Sequence, residues 1–242
     1  MSQRRSEVLL GDGGAVHKSA REHMALCFET YLRKNRHYDV VDFGSHAGVQ
    51  GGWTHRDQLA DYECTYTGVD IRPGPNVDVV MKKPYRIPLK SNSADVVITG
   101  QTFEHVPFFW VSFLEMCRVV RPLGFIFLTV PSRGHPHFEL DLWRFYPDSM
   151  RSLAAISRMN LKEAHTDWPP RKPGSNRFDY KAIDEHRAYW GDTVGVFRKP
   201  KRYSKLVAIA REVDVRWANR VGGVGHVTRP KPLRARTRVT PP

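Results

Sequence analysis

Apolar residues recur along the first half of the chain in short, unbroken runs separated by longer stretches with helical spacing. Tyr38 to Phe43 is one such run, and Tyr66 to Asp70, Ala94 to Thr99 and Phe125 to Val130 are three more. Runs of this length without polar alternation predict strands buried on both faces. Between them, Ala15 to about Asn35 places Ala20, Met24, Phe28, Tyr31 and Leu32 on one helical face. Phe108 to Val120 predicts a second helix, closed by Arg121-Pro122-Leu123-Gly124. Ser149 to Met159 reads as a further helix, and Asn160 to His165 and Thr193 to Arg198 as two closing strands. The alternation predicts an α/β fold, a doubly wound and mostly parallel sheet with helices on both faces. Ligands of such sheets collect at the carboxyl ends of the strands.

The rest of the chain departs from this rhythm. The N-terminal 1–14 reads as flexible, and 15–203 as the folded domain. Within it the Pro-, Arg- and aromatic-rich stretch at about 166–192 is long for a connection and predicts a lid or acceptor-binding insert. A C-terminal helix is expected over 204–221. Residues 222–242 hold glycine, proline and arginine with little to bury, which predicts a disordered basic tail.

Composition changes the picture only at that end. The 242 residues carry a net charge of +13 with 40% hydrophobic content. From Val196 onward, 13 Lys and Arg face only Glu212 and Asp214, so most of the excess sits there. The charge therefore describes one end of the protein rather than a nucleic-acid-binding body, although that end leaves an acidic partner open. Cys27, Cys64 and Cys117 match no zinc or redox spacing, as expected for free thiols. No apolar stretch approaches the roughly 20 residues that span a bilayer. Val8-Leu9-Leu10 is too short for a secretory signal, and the expected location is cytoplasmic.

Candidate chemistry lies at the strand ends. VVDFGSHAG, residues 40–48, carries Asp42, Gly44, Ser45, His46 and Gly48 directly after the first strand. YTGVD ends the second strand at Asp70. ADVVITGQTFEHV leads through Gln101 to Glu104 and His105, and RVVRPLGFIFLTVPS completes the series. In order and spacing these motifs resemble class I S-adenosylmethionine-dependent methyltransferases, most closely the type 11 branch, over about residues 38–132. A dinucleotide fold would need G-x-G-x-x-G, and His46 stands where one of those glycines belongs.

The resemblance implies a seven-stranded sheet whose last strand is antiparallel. It also implies S-adenosylmethionine as cofactor and S-adenosylhomocysteine as product. In that reading Asp42 acts on the methionine ammonium through the loop, Asp70 binds the ribose hydroxyls, and Gln101 faces the methionine part. The adenine falls near Ile71, Arg72 and Met81 to Tyr85. Gly44 admits the ligand to the backbone, and Gly48 lets the next helix start close to the sheet.

PSRGHPHFELDLWRFYPDS, residues 131–149, follows the fourth strand. It more loosely resembles a segment of bacterial, especially actinobacterial, polysaccharide O-methyltransferases, which implies a carbohydrate acceptor. A hydroxyl acceptor needs a base, and His135 and His137 are the first candidates, then His105 and Asp141. Glu104, Trp143, Arg144, Tyr146 and Trp190 are the candidate acceptor contacts. His135, His137, Glu139 and Asp141 alternate, so they share a face in an extended segment, and His135, His137 and Asp141 are the ligand set if a divalent metal binds. The competing readings are methylation of a small natural product, or of nucleic acid or protein held by the basic tail. A homodimer is left open.

Overall fold

The computed structural model describes residues 18–48, 51–134, 140–168, 171–177, 190–203 and 205–222. The sheet has seven strands: β1 (Tyr38–Phe43), β2 (Cys64–Asp70), β3 (Val79–Val80), β4 (Ala94–Gly100), β5 (Val120–Arg133), β6 (Asn160–Thr166) and β7 (Gly191–Arg198). Their order across it is β3-β2-β1-β4-β5-β7-β6. Neighbours are parallel from β3 to β5, and β7 runs antiparallel to both β5 and β6. The helices are α1 (Lys18–Tyr31), α2 (His55–Gln58), α3 (Phe109–Val119), α4 (Pro147–Ser157) and α5 (Lys205–Val221).

The unbroken apolar runs have a direct cause. Alternate residues of each strand enter different cores, because successive side chains point to opposite faces. Val40, Val96, Ile98 and Phe127 pack with Met24, Phe28 and Leu32 of the α1 side. Val41, Val97, Ile126 and Leu128 pack with Phe113, Met116 and Cys117 of α3 and with Met150 and Leu153 of α4. Both faces are packed, so the strand centres are apolar, and polar residues such as Asp39, Asp42 and Asp95 fall near the strand ends.

Local chemistry sets the helix limits. Pro147 opens α4 at a position where its missing N–H costs nothing, and Arg158 ends it in a left-handed conformation. α3 is closed partly from outside: the buried Lys199 ammonium donates to the carbonyls of Cys117 (2.6 Å) and Val120 (2.7 Å). The first helix is shorter than its periodicity suggests and stops at Tyr31. The Arg121 to Gly124 turn belongs to the start of β5, with Leu123 at φ +67°. Gly48 does not usher in a helix; among the described residues the next one starts at His55 and is four residues long. The 1–14 segment, much of the 166–192 insert, and residues 223–242 of the basic tail lie outside the described residues. Among the described residues no helix is long and apolar enough to cross a membrane.

The N-terminal helix is fastened to the far end of the chain. Ser19 donates to Asp192 (2.5 Å), and His23 Nε2 lies 3.0 Å from Asp167, just past β6. The Asp167 hydrogen bond, with added attraction from Asp192 and Glu22, raises the His23 pKa against the effect of burial. Burial pushes the Asp167 carboxyl up, but the hydrogen bonds from His23 and the Asp192 backbone, with the His23 and Arg133 charges, together outweigh it and the net shift is downward. The pair is thus intact above the carboxylate range and below the raised histidine value, and loosens as pH leaves that window at either end. His23→Gln is expected to flatten the alkaline side of the melting profile; an unchanged profile would show that the pair contributes nothing.

Candidate active site

Four acids that are buried or nearly so gather at the carboxyl end of the sheet: Asp42 on β1, Asp70 ending β2, Glu104 after β4, and Asp192 at the start of β7. In a chain of net charge +13 this is a local reversal of sign, suited to a cationic ligand.

The turn after β1 is built for close approach. Gly44 has φ +80° and donates its N–H to Val69 O (2.8 Å). A Cβ on Gly44 would lie 2.8 Å from Thr102 Cβ and nearer still to its hydroxyl. Ser45 is buried, with its hydroxyl donating to Asn76 O (3.0 Å). His46 donates its backbone N–H to Asp70 Oδ2 (3.3 Å), and Arg72 donates to Asp70 Oδ1 (2.8 Å). The His46 ring is turned aside: Nδ1 accepts the Gly48 N–H (2.9 Å), and the imidazole packs directly on Gly74. Ile71 packs partly buried against the core, whereas Tyr85 is buried outright.

Asp42 has partners that sequence reasoning missed. Its Oδ2 accepts from the Tyr66 hydroxyl (2.6 Å) and lies 3.0 Å from His55 Nδ1, while Asn76 Nδ2 donates to the Tyr66 oxygen (2.9 Å). Burial first, and then the Asp42 charge, drive the Tyr66 pKa far upward, so the phenol stays protonated and donates. Asp42 Oδ1 and His55 Nε2 are buried with no hydrogen-bond partner among the described residues. No local motif marks His55 or Tyr66; parallel pairing of β1 with β2 brings Tyr66 opposite Val40 and so within reach. Tyr66→Phe leaves the carboxylate with one fewer donor and is expected to cost about 1–3 kcal/mol in denaturant unfolding. A loss below that range would demote this bond.

Gln101, in a left-handed conformation at φ +53°, donates from Nε2 to Asp192 Oδ1 (3.0 Å), and its Oε1 is buried without a hydrogen-bond partner among the described residues. Asp192 is fully buried and came from no motif. It joins the cluster because β7 is antiparallel, which brings its first residues to the carboxyl end of β5, with Asp192 opposite Pro131.

The two segments expected to form the acceptor mouth meet. Leu142 N–H donates to Glu104 O (2.7 Å), Trp143 Nε1 donates to Val106 O (3.1 Å), and the His105 Nδ1 bonds the Leu140 carbonyl. Arg144 grips Asp141 with both terminal nitrogens, Nη2 to Oδ2 at 2.8 Å. Trp143 and Tyr146 are exposed, and the Trp190 ring packs closely against Gly134. Burial lowers the His105 pKa, partly countered by the Leu140 carbonyl. Glu104 is 0% exposed, neither oxygen has a hydrogen-bond partner among the described residues, and burial pushes its pKa to about 8. His105 Nε2 lies 3.6 Å from its Oε1.

His135, His137 and Glu139 lie outside the described residues. Among the described residues no group of three or more His, Cys, Asp or Glu could hold a metal, and Asp141 is engaged by Arg144.

Residues 46–128 match the family model described as a methyltransferase domain. A search of the curated proteins finds no match. Among solved structures, the chain resembles the Burkholderia thailandensis 1,6-didemethyltoxoflavin-N1-methyltransferase with bound S-adenosylhomocysteine. The TM-score is 0.54 at 15% identity, over 75% of this chain and 78% of that one. The [4+2]-cyclase SpnF gives 0.54 at 14% identity, over 79% and 85%. Phosphoethanolamine N-methyltransferase 2 of Haemonchus contortus, in complex with S-adenosyl-L-methionine, gives 0.50 at 13%, over 74% and 52%. At these identities the structures speak for the fold, and the domain match speaks for the chemistry. The matched segment and the fold together resemble those of class I S-adenosylmethionine-dependent methyltransferases.

Proposed function

We propose that the protein O-methylates a sugar hydroxyl of an oligo- or polysaccharide, with S-adenosylhomocysteine as the second product. The observation that carries this reading is the make-up of the mouth beside His105. It combines exposed aromatic faces at Trp143 and Tyr146 with the charged Asp141–Arg144 fork. Sugars present apolar C–H faces and a rim of hydroxyls, and these two kinds of surface answer both.

The cofactor pocket fits its ligand. Bound S-adenosylmethionine supplies an electrophilic methyl group on a sulfonium, open to in-line displacement. Asp70 would take the ribose hydroxyls, Ile71 and Arg72 would flank the adenine, and Asp42, Ser45, His46 and Gln101 would surround the methionine part. The orphaned Asp42 Oδ1 and Gln101 Oε1 are acceptors suited to an ammonium. Gly44 and Gly48 leave the cradle unobstructed.

His105 is assigned as the base. Its lowered pKa keeps the imidazole neutral, and donation from Nδ1 to the Leu140 carbonyl makes Nε2 the basic nitrogen. His135 and His137 are the other histidines for this role. Asp141, held by a guanidinium, serves better to position Arg144 and the acceptor than to take a proton.

The test is an acceptor screen read by mass spectrometry, with oligosaccharides, phenolic metabolites and RNA, run with and without chelator. A gain of one methyl on an oligosaccharide, with kcat cut about 10²–10⁴-fold in His105→Ala, supports the proposal. Methyl transfer confined to a phenol or to RNA sinks the carbohydrate reading, and chelator sensitivity would bring in a metal.

A further inference from the structure

Helix α5 has two apolar faces. Val215 and Ala218 are buried in a small core with Tyr85 and Val111 of the domain. On the other side Leu206, Ile209, Val213, Trp217 and Val221 follow one another at intervals of three or four residues and so line a single stripe. All five are exposed, from 77% for Leu206 to 47% for Val221, with Trp217 resting one face on Phe108. Nothing among the described residues covers this continuous apolar stripe, and such a stripe marks an interaction face.

The charges around the stripe say what covers it. Arg216 and Arg220 are exposed on the same side, and exposed Lys201 and Arg202 precede the helix. Residues 223–242, which continue from it, add five Lys and Arg and no acid. Of the two acids in the region, Glu212 is taken up by Arg86 (2.6 Å) and Arg216 (3.1 Å). Two copies packed stripe to stripe would bring these cationic ends together, a like-charge juxtaposition that opposes association. An anionic lipid surface meets both properties at once. Acyl chains take the apolar stripe, and headgroups take the exposed Arg216 and Arg220.

We infer that α5 docks the protein on an anionic membrane surface, seating Leu206, Ile209, Val213 and Trp217 below the headgroups. The helix lies in the interface without crossing it.

Co-sedimentation of the full chain with vesicles tests this. Phosphatidylcholine vesicles containing phosphatidylglycerol should bind it, pure phosphatidylcholine should bind it much less, and added salt should weaken binding. Ile209→Asp and Val213→Asp, at exposed positions, should each cut partitioning at least about tenfold. Each should keep the parental melting temperature and affinity for S-adenosylhomocysteine. Arg216→Gln with Arg220→Gln should reduce binding to anionic vesicles only, a second readout should an aspartate variant fail to fold. Three results would overturn the inference. One is equal binding to both kinds of vesicle. Another is loss of all binding when residues 223–242 are removed, with none lost in the stripe variants. The third is a dimer by light scattering that the stripe variants split.

Discussion

In alkaline buffer, Glu104→Gln is expected to melt well above the parent protein, and in acid the two should converge. The carboxyl of Glu104 is fully buried without a hydrogen-bond partner among the described residues; desolvation, with the nearby Asp141 and Asp192 charges, lifts its pKa from 4.5 to about 8. Below about pH 4.5 the group is protonated both folded and unfolded, and the substitution is neutral. Between those values only the unfolded chain gives up the proton, so rising pH favours unfolding, and the full penalty is present above about pH 8. Each tenfold change in an ionisation equilibrium corresponds to about 1.4 kcal/mol, so the penalty reaches several kcal/mol. Glutamine keeps the shape and removes the ionisation. Melting curves taken from pH 4 to 9 check it: a constant offset would mean that Glu104 ionises without cost. A carboxyl retained at such expense beside His105 suggests a use for its proton, so kcat/KM should fall in the variant while affinity for S-adenosylhomocysteine holds.

Gly44→Ala should remove donor binding and destabilise the fold by about 3 kcal/mol, the sum of two costs. An alanine at φ +80° pays roughly 1–2 kcal/mol for the left-handed conformation. Its methyl also drives into Thr102, which has little room to yield because its hydroxyl bonds Gly100 O (3.1 Å). Thr102→Gly added to Gly44→Ala should restore part of the stability, since it relieves the clash but not the backbone strain. Calorimetry with S-adenosylhomocysteine provides the second readout. Undiminished affinity in Gly44→Ala would mean that this turn does not cradle the donor.

What could be read from the sequence follows from what packing demands. Strands covered on both faces have to be apolar at their centres, so β1, β4 and the middle of β5 were legible as short apolar runs. β3 is two residues long and α2 is four, too short for any period to register. The turn at Gly44 and the end of β2 at Asp70 were legible because both are local events. His55, Tyr66 and Asp192 were not, because their roles come from juxtaposition. Gln101 meets Asp192 across 91 positions of sequence, and Ser19 meets it across 173. Electrostatic character was half legible: the basic C-terminal end stood out, whereas the acidic pocket within a basic chain needed the fold to gather its members.

The position of β7 bears on how the protein is made. It slots between β5 and β6, and among the described residues β6 pairs with no other strand. As the chain leaves the ribosome, β1 to β5 can assemble, but β5 then waits with one edge bare. Roughly 60 residues must still emerge before β7 can cover that edge, several seconds of translation at about 5–20 residues per second. Asp192 arrives with the same strand, so the Ser19 bond of α1, a helix synthesised well before it, forms only then. The acidic cluster at the carboxyl end of the sheet is therefore completed late, and a nascent chain arrested before β7 would carry most of the sheet but lack Asp192.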